Sequence, residues 1–103
     1  GWGWRRSHGW SWRVEEHRRI GKQIASVPLE IQKRYEKWLD IATISGPPGL
    51  KSVRGFHDEA LSGTWSGYRS SRLNIQYRLI YRVVSSNQLF QVVGITPHDY
   101  RKR

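Results

Sequence analysis

Residues 61–100 read LSGTWSGYRSSRLNIQYRLIYRVVSSNQLFQVVGITPHDY. Within them Tyr77, Leu79, Tyr81 and Val83 fall on one face of an extended chain, and Arg78, Ile80, Arg82 and Val84 fall on the other. That two-residue alternation predicts a half-buried strand over Tyr77–Val84. Ser66–Asn74 and Leu89–Ile95 are strand candidates on either side, and Ser85-Ser86-Asn87 is a hairpin turn into the last of them. Phe90, Val92 and Ile95 supply further core. Three strands joined by short turns predict a small antiparallel sheet.

Working upstream, Trp12–His17 (WRVEEH) reads as a short first strand with Trp12 and Val14 on one face. In Arg18–Val27, Ile20, Ile24 and Val27 recur at helical spacing, although Gly21 weakens that helix by about 1 kcal/mol relative to Ala. Pro28 suits the first position of a second helix. Ile31, Tyr35, Trp38, Leu39 and Ala42 line one face of it, and Glu30 favours its N-terminal dipole. Gly46-Pro47-Pro48-Gly49 is expected to end it, and Leu50–Glu59 to be a loop or edge segment. The predicted class is α+β in the order β-α-α-β-β-β. The helical hairpin packs on one face of the sheet and leaves the other available to Arg78 and its neighbours.

The chain of 103 residues suffices for one domain, expected over residues 12–103. Residues 1–11 hold three of the six Trp, are rich in Gly and lack an initiator Met. They are expected to be a tag or a disordered extension. Eighteen basic residues face 8 acidic ones, for a net charge of +10. Setting aside Arg5 and Arg6 leaves +8, so the excess belongs to the domain and points to a polyanionic partner or to an acidic protein that masks it. With no Cys, disulfides, zinc–thiolate sites and thiol nucleophiles are excluded, and a reducing compartment fits. No run of apolar residues is long enough for a membrane span, and no secretory segment is visible.

The charge and the late histidine suggest RNA cleavage without a metal. That chemistry needs a base for the 2′-hydroxyl, an acid for the leaving 5′-oxygen and fixed cations for the phosphorane. His98, just past the last strand, is the best acid or base, with an ordinary pKa near 6.5. Arg78 sits mid-strand between Tyr77 and Leu79, where a cation is rarely decoration; its competing role is to cap a core carboxylate. Arg72 and Arg69 on the preceding strand are phosphate-binding candidates. His57, Asp58 and Glu59 form a polar cluster, any one of which can be the general base. Tyr68 and Tyr100 are candidates for stacking on bases, and Tyr81 for the core. Lys51 and Arg54 widen the electrostatic footprint. The four His have no metal-ligand spacing, and no phosphate-cradling glycine loop or nucleophile elbow is present. No cofactor is expected.

The chain resembles the RelE/ParE superfamily of bacterial toxin–antitoxin toxins over roughly Trp12–Tyr100. The resemblance rests on the P-x-x-I-Q helix start at Pro28–Gln32, Leu61-Ser62-Gly63, the strand Tyr77-Arg78-Leu79-Ile80-Tyr81 and the late His98. It implies a ribosome-associated, metal-independent mRNA endonuclease of the RelE, YoeB or YafQ kind, located in the cytoplasm. Cleavage would follow 2′-hydroxyl attack and leave a 2′,3′-cyclic phosphate. The resemblance makes Arg78 the contact to the scissile phosphate and His98 the general acid. Tyr100 is similar to an aromatic beside that histidine in YoeB, with Asp99 intervening here. The paired lysines of RelE proper fall near Arg69 and Ser71, only one of which is basic. YoeB's glutamate base is replaced by Glu59, Asp58 or His57. The expected partners are a cognate antitoxin, the ribosome and mRNA, with no membrane. The rival readings are a ParE-like DNA gyrase inhibitor, which needs no catalytic acid, and a non-catalytic module that binds RNA or antitoxin.

Overall fold

A computed structural model of the chain describes residues 2–5 and 12–97. Strands β1 (Trp2–Arg5), β2 (Arg13–His17), β3 (Glu59–Ala60), β4 (Arg69–Arg72), β5 (Arg78–Val84) and β6 (Leu89–Thr96) form one sheet, ordered β1-β2-β6-β5-β4-β3. Helices α1 (Arg19–Ser26) and α2 (Leu29–Ser52) connect β2 to β3. The α+β class and the helical hairpin on one face are as expected. The sheet is mixed, because β2 runs parallel to β6 while the other pairings are antiparallel. A β-α-α connection that returns the chain past the helices allows that pairing, and sequence alternation alone does not encode strand direction. Trp2–Arg5, within the expected extension, pairs with β2 at the sheet edge.

Strand boundaries follow local chemistry. β4 begins only at Arg69 because Gly63–Trp65 forms a 3₁₀ turn and Gly67 takes a positive φ of 92°. It ends at Arg72 because the Asn74 side chain accepts hydrogen bonds from the backbone N–H groups of Gln76 and Tyr77, both at 2.8 Å, and so fixes a turn. Between Ile80 and Tyr81 the β5–β6 register shifts, pairing Ile80 with Gly94 and Tyr81 with Val92. That bulge lets Val92 and Ile95 both join the core.

Val14, Leu79, Tyr81, Phe90 and Val92 pack from the sheet against Ile31, Tyr35, Trp38, Leu39 and Ala42 of α2. The indole of Trp38 meets Tyr81 and Phe90 edge-on, at 5.1 Å and 5.6 Å between ring centres.

The Gly46–Gly49 segment does not end α2. The helix kinks at Gly46, whose φ of 68° and ψ of −163° are not helical, and resumes through Ser52. Pro47 and Pro48 then occupy the first turn of the resumed segment, where a missing N–H costs little. A Cβ on Gly46 would lie 2.5 Å from Trp12 Nε1, so only glycine lets the indole approach. Leu50, expected in a loop, is a fully buried helical residue. Among the described residues, no helix is long and apolar enough to cross a membrane.

Candidate nucleic-acid interface

The strand register sorts the candidate residues by face. Ser71 pairs with Leu79 and Arg69 with Tyr81, on the side covered by the helices. Ser70 pairs with Ile80 and Arg72 with Arg78, on the open side. Glu59 pairs with Ser70 and joins that open side.

Asp58 is a structural carboxylate rather than a free base. Its side chain is 1% exposed. Oδ1 accepts from Arg69 Nε at 2.9 Å and Nη2 at 2.7 Å. Oδ2 accepts from Ser71 Oγ at 2.7 Å and from the Tyr81 hydroxyl. Ser71 in turn accepts from Trp38 Nε1 at 2.9 Å. A buried charge survives only when it is satisfied in this way. Burial, then the charge and hydrogen bond of Asp58, push the Tyr81 phenol above its ordinary 10.0. Burial works against the charge of Arg69, but its bonds to Asp58 outweigh this and raise its pKa. The arginine that caps a core carboxylate is therefore Arg69, the role entertained in sequence for Arg78. Arg69 is committed to an ion pair beneath the sheet, not to a phosphate.

Arg72 and Arg78 stand directly opposite each other across β4 and β5. Like charges in this position repel unless an anion lies between them. Both are half-buried, and Arg72 Nε and Arg78 Nη1 are buried with no hydrogen-bond partner among the described residues. A buried guanidinium N–H without an acceptor costs free energy, and an anion between the two side chains would supply the acceptor. Arg78 also pairs with Thr96, two residues before His98. His98 and Tyr100 lie outside the described residues.

The remaining candidates divide. His57 is exposed, with a left-handed φ of 43°, in the turn before β3. Lys51 ends α2 in the helical layer and Arg54 sits in the 3₁₀ turn after it; neither is on a strand of the open face. Tyr68 is on the open face, its ring 5.6 Å from that of Trp65 and 5.8 Å from the Arg82 guanidinium. Beside it Arg82 Nε donates to Gln91 Oε1 at 2.6 Å, and Gln91 Nε2 donates to Glu15 Oε1 at 2.9 Å.

Sequence reasoning missed a cleft of about 520 Å³ on this face, where β2 has ended and β6 runs on. Trp65, Tyr68, Trp2 and His17 line it, together with Arg19, Gln23, Ile80 and Gly94. The rings of Trp2 and His17 also meet edge-on at 5.6 Å. Desolvation, then the positive charge of Arg19, lower the His17 pKa below its ordinary value. Beyond the end of β2 the Ile95 N–H has no strand to bond, and Gln23 Oε1 of α1 accepts it at 2.8 Å. No sequence period signals such a cleft, because Trp2, Gln23 and Trp65 come together only through the strand order. Among the described residues, no cluster of His, Asp and Glu is arranged to hold a metal ion.

No protein-family model matches the chain, and no curated protein matches it. Solved structures do. A chain of the archaeal RelE–RelB complex from Pyrococcus horikoshii OT3 is 26% identical, with a TM-score of 0.69 over 87% of this chain and 98% of that one. The YoeB–YefM complex from Staphylococcus aureus matches at 18% identity and a TM-score of 0.67, covering 84% and 97%. YafQ from E. coli strain BL21(DE3) matches at 20% and 0.60, covering 85% and 94%. The mixed sheet, the helical hairpin and the likeness over more than four-fifths of its length give this chain the fold of the RelE, YoeB and YafQ structures.

Proposed function

We propose that this chain is the toxin of a toxin–antitoxin pair and a metal-independent endoribonuclease acting on mRNA at the ribosome. The observation that carries the reading is the opposed pair Arg72 and Arg78, with buried N–H groups that lack an acceptor among the described residues. A phosphodiester supplies that acceptor, and its phosphorane supplies more negative charge than the ground state does. The 2′-oxygen attacks phosphorus while a base takes its proton. The bond to the 5′-oxygen breaks and that oxygen leaves with a proton from the acid, giving a 2′,3′-cyclic phosphate and a 5′-hydroxyl. Arg78 and Arg72 hold the phosphorane. Glu59, the member of its cluster on the same face, is the base, and His98 is the acid. Tyr68 and Tyr100 stack on bases.

The solved relatives crystallise as RelE–RelB and YoeB–YefM complexes, which supports an antitoxin partner here. The +10 charge suits an acidic antitoxin segment as well as RNA, in a cytoplasmic setting. The test is RNA cleavage by purified protein, with and without ribosomes, comparing wild type with Arg78→Gln. Wild-type cuts bearing cyclic phosphate ends, lost in a folded Arg78→Gln, support the reading. Equal cutting by both proteins overturns the role of the pair. Inhibition of DNA gyrase without RNA cleavage would favour the ParE-like alternative.

A further inference from the structure

We propose that Arg82 is a second phosphate site, which engages the RNA backbone about two nucleotides from the phosphate held by Arg72 and Arg78. The inference rests on the RNA-cutting reading above and adds to it the path of the substrate strand, which runs along β5.

The spacing comes from the pleat. Arg78, Ile80 and Arg82 alternate with core residues and share the open face of β5. From Arg78 to Arg82 is about 13 Å along an extended strand. An unstacked nucleic-acid strand advances roughly 6–7 Å per nucleotide, about twice the 3.4 Å rise of a stacked one, so the two arginines stand two steps apart. Between them Ile80 packs with Leu61, Trp65, Tyr68 and Val93. That stretch is apolar and offers no cation to the intervening phosphate.

Arg82 is anchored through one nitrogen only. Its Nε donates to Gln91 Oε1 at 2.6 Å, and Gln91 Nε2 donates to Glu15 Oε1 at 2.9 Å. Arginine has donors alone and a carboxylate acceptors alone, so the amide between them has one workable orientation. All three side chains are half-buried, and the Arg82 guanidinium lies 5.8 Å from the Tyr68 ring. Among the described residues, its two terminal nitrogens make no hydrogen bond and no carboxylate stands within ion-pair distance. Arg69 is the contrast, with Nε and Nη2 both spent on Asp58. A neutral amide instead faces Arg82, which fixes the side chain and leaves its charge unmatched. Such a fork is preorganised for the paired oxygens of a phosphodiester.

The test uses short RNA oligomers that are 2′-O-methylated except at one nucleotide, so that the cut defines the phosphate on Arg78. One further phosphate, one or two steps to either side, is replaced by an uncharged methylphosphonate. The oligomers are offered free and as the mRNA of programmed ribosomes, and kcat and KM are measured for each protein. For wild type, the replacement two steps away on one side is expected to raise KM roughly tenfold, the scale of one charge-assisted contact, with kcat little changed. The replacement one step away, beside Ile80, should have little effect. Arg82→Gln should raise KM by a similar factor on the unmodified oligomer and show no further penalty from the methylphosphonate. Gln91→Leu, which keeps the charge but removes its anchor, should shrink the penalty. Arg82→Lys, which keeps a cation on the strand, should retain part of it and replaces Arg82→Gln in the comparison if that variant does not fold. Equal penalties in wild type and Arg82→Gln, or none two steps away on either side, overturn the second site and leave RNA cleavage standing. Wild type that cuts no oligomer, free or on the ribosome, overturns the proposed function, and this inference with it.

Discussion

Asp58 and Glu59 are neighbours in sequence and opposites in role. The pleat turns Asp58 under the sheet, where four donors satisfy it, and turns Glu59 to the open face. Asp58→Asn should destabilise the fold by about 3 kcal/mol, because Arg69 loses its ion-pair partner in a largely buried setting. Chemical denaturation measures this, and an unchanged midpoint would mean that the buried ion pair does not stabilise the fold. Tyr81 adds a pH signature. Its folded pKa lies above the unfolded 10.0, so the folded state holds a proton that the unfolded state has released. The stability it contributes is fully present below about pH 10 and is lost as pH rises toward the folded pKa. Wild type should therefore lose stability above pH 10 more steeply than Tyr81→Phe, as read by denaturant titrations at pH 9 to 11. Parallel pH profiles would contradict the assignment.

The strands and helices were legible in sequence where periodicity was strong. Tyr77–Val84 alternates cleanly and folds as β5, and the stripe from Ile31 to Ala42 is the buried face of α2. The hairpin turn at Ser85–Asn87 also forms where its residues predict it. The kink was not legible. Two prolines between two glycines read as a stop, yet Gly46 breaks the helix for one residue and the prolines serve as its new first turn. What decides between these outcomes is the indole of Trp12, which packs on Gly46 from another element and so lies beyond any local pattern. Gly46→Ala should cost roughly 2–3 kcal/mol, from a positive φ combined with a clash against Trp12. Thermal unfolding checks this. Trp12→Ala, which removes the clash but also core contacts, should make the two substitutions less than additive. The same limit applied to the site. Arg72 and Arg78 were legible as cations on strands, but only the register shows them opposed.

Among the described residues, a helical layer closes one face of the sheet and leaves Arg72, Arg78 and Arg82 on the other. That arrangement predicts salt-dependent RNA binding, with log affinity falling linearly against log salt. Arg78→Gln should reduce the slope by about 0.7, the share of one phosphate contact on a single strand. Lys51→Gln, in the helical layer, should leave the slope unchanged. Equal effects from both would mean that the footprint is diffuse rather than centred on the arginine pair.

RNA cutting at the ribosome is tested by mRNA cleavage in a purified translation system, with cut sites mapped for wild type, Arg78→Gln and His98→Ala. Wild type is expected to cut ribosome-bound mRNA, and each folded variant to lose about a hundredfold, the usual scale for removing a group that acts in the transition state. Intact mRNA with the wild-type protein, in a system where a known interferase cuts, would contradict it.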